Sequence, residues 1–243
     1  MSVDSRDYAS IRTGFVENDL TPEEVERTAA AVEPLVDSVR ELLDALIRSE
    51  VDAGELDSIR SEVDALVARL RTKQIPGAYG VRADTSGRHR AWGNPVVGLR
   101  NAMSPPLEIQ HDESDGSAWA ETVLGARFEG PPGMVHGGIS ALLLDQIVGH
   151  AASAAGKPGM TGTLKLRYVA PTPLGPIRLE ARTEKVDGIK AIVRAGSYVD
   201  DPANPGERRL CVEAEAIMIL PRWARELEET SRSMGPIGDE GAR

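Results

Sequence analysis

One cysteine, Cys211, in 243 residues excludes an intrachain disulfide and fits a reducing compartment. Aromatic residues make up only 4% of the chain, which leaves little surface for stacking nucleic-acid bases. Positive charge is in deficit: 28 Lys and Arg face 38 Asp and Glu, for a net charge of −10. Phosphate backbones are held by clustered cations, so no nucleic-acid partner is expected. No apolar run reaches the roughly 18 residues of a membrane span. The N-terminus carries Asp4, Asp7, Glu17 and Asp19 and lacks the apolar stretch of a targeting signal, so a cytoplasmic location is expected. No zinc, nicotinamide or flavin motif occurs. His111, Asp112, Glu113 and Asp115 crowd one segment without metal-ligand spacing and read as a solvated turn. Neither metal nor cofactor is expected.

What is present is a globular composition, 41% hydrophobic and 27% charged, organised around one stretch. Glu129-Gly130-Pro131-Pro132-Gly133-Met134-Val135-His136-Gly137-Gly138 opens an apolar run from Ile139 to Ala152. The run predicts a helix from about Gly138 to Ala155, ended by Gly156-Lys157-Pro158-Gly159. It is apolar almost all round, so it should be wrapped by other elements. Asp145 breaks the pattern, and a buried carboxylate is costly unless paired. Gly137 and Gly138 leave amides without intrahelical partners at the positive end of the helix, where glycine lets a ligand atom approach closely. Bare amides and a desolvated carboxylate are what acyl-transfer hydrolysis needs, although a lone carboxylate can also be structural. His136 and Asp145 are nine residues apart, about 13 Å of helical rise, and point to opposite sides. Two antiparallel copies about a twofold axis would bring the amide end of one to the carboxylate of the other.

Upstream, Thr21-Pro22-Glu23-Glu24 is a helix start, followed by an apolar stripe at Val25, Ala29, Val32, Val36, Val39, Leu43 and Leu46, with Pro34 expected to kink or split it. A second stripe runs Leu56, Ile59, Val63, Leu66 and Leu70 after Asp52 and Glu55. Residues 1–75 therefore read as a helical extension, an αα-hairpin. It carries 9 Lys and Arg against 17 Asp and Glu and suits packing or oligomerisation better than DNA reading. Residues 76–104 read as a linker, with Val96–Leu99 as a short strand; Arg82, Arg88 and Arg90 are either solvated or within reach of a nucleotide phosphate. Residues 105–220 hold the main domain. A hairpin turns at Asp115-Gly116, and alternating strands run through Leu164–Tyr168, Ile177–Arg182, Ile189–Ala195 and Leu210–Met218. One long helix against one-face-buried antiparallel strands is an α+β layer architecture. Residues 221–243 read as a short charged helix and a disordered tail.

Gly130-Pro131-Pro132-Gly133-Met134-Val135-His136-Gly137-Gly138, then Leu144-Asp145, Met160-Thr161, Tyr168 and Pro171-Thr172-Pro173-Leu174, resembles the hot-dog-fold acyl-CoA thioesterases of the PaaI type, closest in look to the branch of thioesterase superfamily members 4 and 5. The resemblance covers about residues 105 to 220. It implies a hot-dog fold, with a sheet wrapped around the central helix, and hydrolysis of acyl-CoA, the CoA being part of the substrate. It implies that the Gly137 amide polarises the thioester carbonyl, with Gly138 assisting. Asp145 from a partner subunit would act as general base, or as a nucleophile. His136 would orient the loop or the acyl oxygen, and Thr161 would hold the carboxylate or water. Gly130 stands where many relatives carry Asn. Lys165 and Arg167 share Thr161's strand parity and are candidates for CoA phosphates, unless a bulge at Gly162 alters that parity. A homodimer or dimer of dimers with interfacial sites follows. A hot-dog hydratase or dehydratase and a non-catalytic acyl-CoA-sensing module are the alternatives.

Overall fold

Thr21 and Glu24 cap each other at the start of the first helix. The Glu24 amide donates to Thr21 Oγ1 at 3.3 Å and the Thr21 amide donates to Glu24 Oε2 at 2.9 Å. The computed structural model describes residues 15–17, 20–105 and 107–221; the expectations for the first residues and for residues 222–243 fall outside them. The chain divides into two compact units, Met1–Pro106 with Gly125–Arg127, and Leu107–Leu124 with Phe128–Arg243.

In the first unit, helix α1 spans Pro22–Arg48 and helix α2 spans Ala53–Arg71, joined by a short link. Pro34 does not split α1. It and Ala30, whose carbonyl loses the i→i−4 bond, both lie on the exposed side, where water can satisfy that oxygen. Asp52 caps α2 by accepting from the Glu55 amide at 3.0 Å. Strand β1 (Phe15–Glu17) pairs in parallel with β2 (Val81–Ala83), which pairs antiparallel with β3 (His89–Arg90). Residues 76–104 therefore carry strands as well as turns. Val96–Leu99 is a turn and not a strand, because Asn94 Oδ1 accepts the amides of Val96 and Val97 at 2.7 and 3.1 Å. Gly125–Arg127 joins this unit through Asp44, which receives the Arg127 amide at 3.1 Å and its guanidinium at 2.7 Å.

The second unit is a six-stranded antiparallel sheet and one long helix. Strands β4 (Gln110–Asp112), β5 (Ser117–Leu124), β6 (Met160–Tyr168), β7 (Gly175–Asp187), β8 (Lys190–Asp200) and β9 (Arg208–Ile219) lie in the order β4-β5-β7-β8-β9-β6. Helix α3 (Gly137–Ala154) packs across this sheet. Ala118, Ala181, Ala195 and Ala214 form one cross-strand row, which keeps the sheet slim under the helix. Thr183 Oγ1 donates to the Ala151 carbonyl at 3.0 Å and marks the helix-facing side. The opposite side is charged, with Arg182, Arg194, Glu215 and Lys165 in one row and Glu180, Gly196, Glu213 and Arg167 in the next. This is the hot-dog architecture that the resemblance implies. The wrapping is one-sided within the chain: Ser140, Leu143, Leu144, Ile147, Val148, Ala151 and Ala152 are buried, while Leu142, Asp145, Gln146, Gly149 and His150 are only half-buried. No helix among the described residues is long and apolar enough to cross a membrane.

Candidate active site

The loop before α3 is tied down at both ends. The Glu129 carboxylate accepts the Gly133 amide at 2.6 Å, and the Gly130 amide donates to the Met134 carbonyl at 2.9 Å. The Val135 amide donates to Thr172 O at 2.8 Å and the Leu174 amide to Gly133 O at 3.0 Å, so the Pro171–Leu174 segment fastens the loop. A Cβ on Gly130 would lie 2.8 Å from His136 Cα and 3.0 Å from its Cβ. Glycine at 130 thus lets the loop close against the histidine, so its contribution is to packing around His136.

His136 is the N-cap of α3. Its Nδ1 accepts the Gly138 amide at 3.0 Å, which leaves Nε2 as the donor of the neutral ring. Its carbonyl accepts the amides of Ile139 and Ser140 at 2.9 and 3.3 Å. Of the first-turn amides, that of Gly137 alone has no partner among the described residues. The site expectation therefore sharpens: Gly138's N–H is already used by His136, and Gly137's is available. Tyr168 closes the other side, its hydroxyl donating to the Gly137 carbonyl at 2.9 Å. Its ring stands 3.2 Å from where a Gly137 Cβ would be.

Asp145 lies two turns further along α3, half-buried rather than enclosed, with no hydrogen bond or ion pair among the described residues. The expectation of a buried carboxylate fails in the single chain because the sheet covers only the stripe beside it. Gly149, one turn on, faces Met218, whose Sδ receives the Thr161 hydroxyl at 3.6 Å. Thr161 thus neighbours the Met218 side chain whose end approaches Gly149, one turn of helix from Asp145. The helical rise keeps Asp145 about 12 Å from Gly137 along one helix, so one chain does not bring the two together.

Lys165 and Arg167 do not share Thr161's face. The β6–β9 register shifts between Thr161 and Thr163, where Gly162 is packed against Ile219. That extra residue flips the parity. Thr161, Leu164, Leu166 and Tyr168 pair with Met218, Ala216, Ala214 and Val212 on the helix side, while Lys165 and Arg167 pair with Glu215 and Glu213 on the charged side. Arg167 is held by two 2.6 Å bonds to Glu213. The strand alternation had suggested these two for CoA phosphates, and the bulge removes that reason.

Sequence reasoning also missed His150. It contacts Gln146 Nε2 at 3.2 Å, and burial, then the charge of His111, hold its imidazole below the ordinary range. No group of three or more His, Cys, Asp or Glu side chains among the described residues could hold a metal ion.

The Thioesterase superfamily sequence model matches residues 132–205. A crystal structure of a thioesterase superfamily protein is 32% identical, covers 77% of this chain and 94% of its own, and superposes with a TM-score of 0.67. Among curated proteins, the acyl-coenzyme A thioesterase THEM4 of Xenopus laevis is 37% identical over 67 residues, 27% of this chain and 30% of that protein. The THEM4 of Mus musculus is 32% identical over 96 residues, 39% of each. The chain thus spans about a third of the length of the curated relatives it matches.

Proposed function

Because this chain belongs to the thioesterase superfamily, we propose that it hydrolyses acyl-CoA thioesters to a free acid and CoA. The observation that carries the reading is the Gly137 amide, left bare beside a histidine cap that satisfies its neighbours. In this scheme the thioester oxygen sits on the Gly137 N–H, where the helix dipole favours developing negative charge. Asp145 takes a proton from water as the water oxygen bonds to the carbonyl carbon. The tetrahedral oxyanion then collapses and breaks the carbon–sulfur bond, and the CoA thiolate leaves with the proton that Asp145 held. Thr161, bonded only to a weak thioether acceptor, is free to turn toward the carboxylate or the water. His136 presents its Nε2 donor toward the acyl group.

Because Gly137 and Asp145 lie two turns apart on one helix, the working pair comes from two copies related by a twofold axis, with two sites per dimer. Thiol release from a panel of acyl-CoA chain lengths, read with a thiol-reactive dye, tests the activity. Asp145→Asn should lower turnover about a hundredfold or more while the melting curve stays put, since Asp145 bonds to nothing in its own chain among the described residues. Unchanged turnover would remove Asp145 from the mechanism. A protein that is active yet strictly monomeric by light scattering would remove the two-copy site, and binding without turnover would make the protein an acyl-CoA-sensing module.

A further inference from the structure

Two rigid peptide planes meet at the Cα of Gly137, and both are pinned. The first joins the His136 carbonyl to the Gly137 N–H. That carbonyl accepts the amides of Ile139 and Ser140 at 2.9 and 3.3 Å. The second joins the Gly137 carbonyl to the Gly138 N–H. His136 Nδ1 accepts this N–H at 3.0 Å, and the Tyr168 hydroxyl donates to this carbonyl at 2.9 Å. The Gly137 N–H stays open between them, without a partner among the described residues. Paired glycines need such restraints, because they have no side chain to limit the backbone and are poor helix formers.

Most of these restraints come from the loop and from α3 itself, but Tyr168 comes from β6. Its ring also stands against the Gly137 Cα, where an added Cβ would meet ring and hydroxyl atoms at 3.2 to 3.3 Å. Nitrogen and Cβ hang on the same Cα, so the ring edge lies within about 6 Å of the bare nitrogen. The tyrosine is anchored in turn. It pairs with Val212 at the end of β6, and the next two amides, of Val169 and Ala170, both donate to the Cys211 carbonyl at 2.8 and 3.0 Å. The bulge at Gly162 makes the contact possible: without that extra residue Tyr168 would point to the charged side of the sheet. Yet the residue is 56% exposed. A phenol so placed bonds to water nearly as well as to protein, so the contact adds little to folding. What it does fix is the direction of the first peptides of α3.

We propose that Tyr168 is a positioning residue that clamps the start of α3, so that the Gly137 N–H is already aimed when the thioester oxygen arrives. This rests on the acyl-CoA reading of the protein. A preorganised donor stabilises the oxyanion without moving at the moment of reaction. Loss of the clamp leaves the donor present but loose, and the deficit falls on the transition state more than on substrate binding.

The test compares the full-length native chain with Tyr168→Phe, which keeps the ring and loses the hydrogen bond, and with Tyr168→Leu, which loses both. In Tyr168→Phe, hydrogen exchange at the Gly138 amide should speed up about fivefold, while exchange at Leu143 and Leu144 stays as in the native chain. The same variant should lower kcat about tenfold with KM unchanged, and its melting temperature should fall by no more than about 3 °C. Tyr168→Leu should lose more of kcat. Unchanged exchange at Gly138 overturns the clamp, whatever the activity. Faster exchange with native kcat overturns the role in turnover. A change carried by KM alone makes Tyr168 a substrate contact and overturns the positioning role. If the native protein hydrolyses no acyl-CoA, the hydrolase reading and the role in turnover both fall, and the exchange result still decides the clamp.

Discussion

Helix α2 carries an apolar stripe and helix α3 is apolar almost all round, and the two meet opposite fates. In α3, Ser140, Leu143, Leu144, Ile147, Val148, Ala151 and Ala152 are all buried against a sheet. In α2, no residue is buried, and Leu56, Leu66 and Leu70 are 41%, 51% and 58% exposed. A three-and-four periodicity reports that a helix has an apolar face, but it does not report what covers that face. The covering element sets how much each side chain contributes, since the free energy comes from area removed from water.

Truncating one leucine on each helix tests that contrast most severely. Leu144→Ala should cost about 2–5 kcal/mol in chemical denaturation, because Leu144 is fully buried. Leu66→Ala should stay within about 0.5 kcal/mol. A large loss from Leu66→Ala would show that α2 is covered in the assembled protein and would break the comparison.

The helix starts sharpen it further. At α3 the cap depends on Gly130 lying flush against His136. Gly130→Ala should cost about 1–3 kcal/mol and lower thioester turnover as the histidine is displaced. At α1 the cap is a side-chain exchange, and Thr21→Ala should cost only about 1 kcal/mol with turnover unchanged. Equal losses of turnover in both variants would contradict the assignment of the site to α3.

The smallest expected effect is acid sensitivity. His150 titrates below its ordinary 6.5 in the folded chain because burial, and then His111, disfavour its charged form. A depressed folded value means that the stabilising contribution is complete above 6.5 and is lost as pH falls through the folded value. His150→Gln should flatten the fall in melting temperature between pH 6.5 and about 5, leaving behaviour at pH 8 unchanged. Asp84, in the first unit, is held below the ordinary carboxylate range by the Ser86 hydroxyl and by the Arg88 and Ser86 amides. Its contribution is complete above 3.8 and lost only below it, so Asp84→Asn should lower the melting temperature without changing its pH dependence in the window where His150 acts.

Much of the second unit was readable from its residues. Alternation placed the four long strands, and Asp115-Gly116 placed the hairpin between β4 and β5, with Gly116 at φ +66°. The N-cap role of His136 was less accessible. Histidine is an uncommon cap, and only the 3.0 Å contact to the Gly138 amide shows that this residue decides which amide stays bare. Gly162 hid the face of Thr161, because one added residue in β6 reverses every later side chain and no composition rule marks where pairing slips. The stacking of Tyr79 on Trp92, with the Arg100 guanidinium over both rings, was legible only as scattered residues. Tyr79 and Arg100 are 21 positions apart and meet because β2, β3 and the following turns fold back on one another.

By itself the sequence determined periods, caps and breakers, since these depend on residues a few positions apart: where each long strand and helix runs, that the loop from Gly130 to Gly138 delivers two glycines to a helix start, and that one carboxylate interrupts its apolar run. Only the tertiary structure decided which face of α3 is covered, and which side of the sheet holds Thr161 and which holds Arg167. Those outcomes depend on strand register and on long-range neighbours, where a one-residue shift exchanges core for solvent at almost no cost to the local pattern.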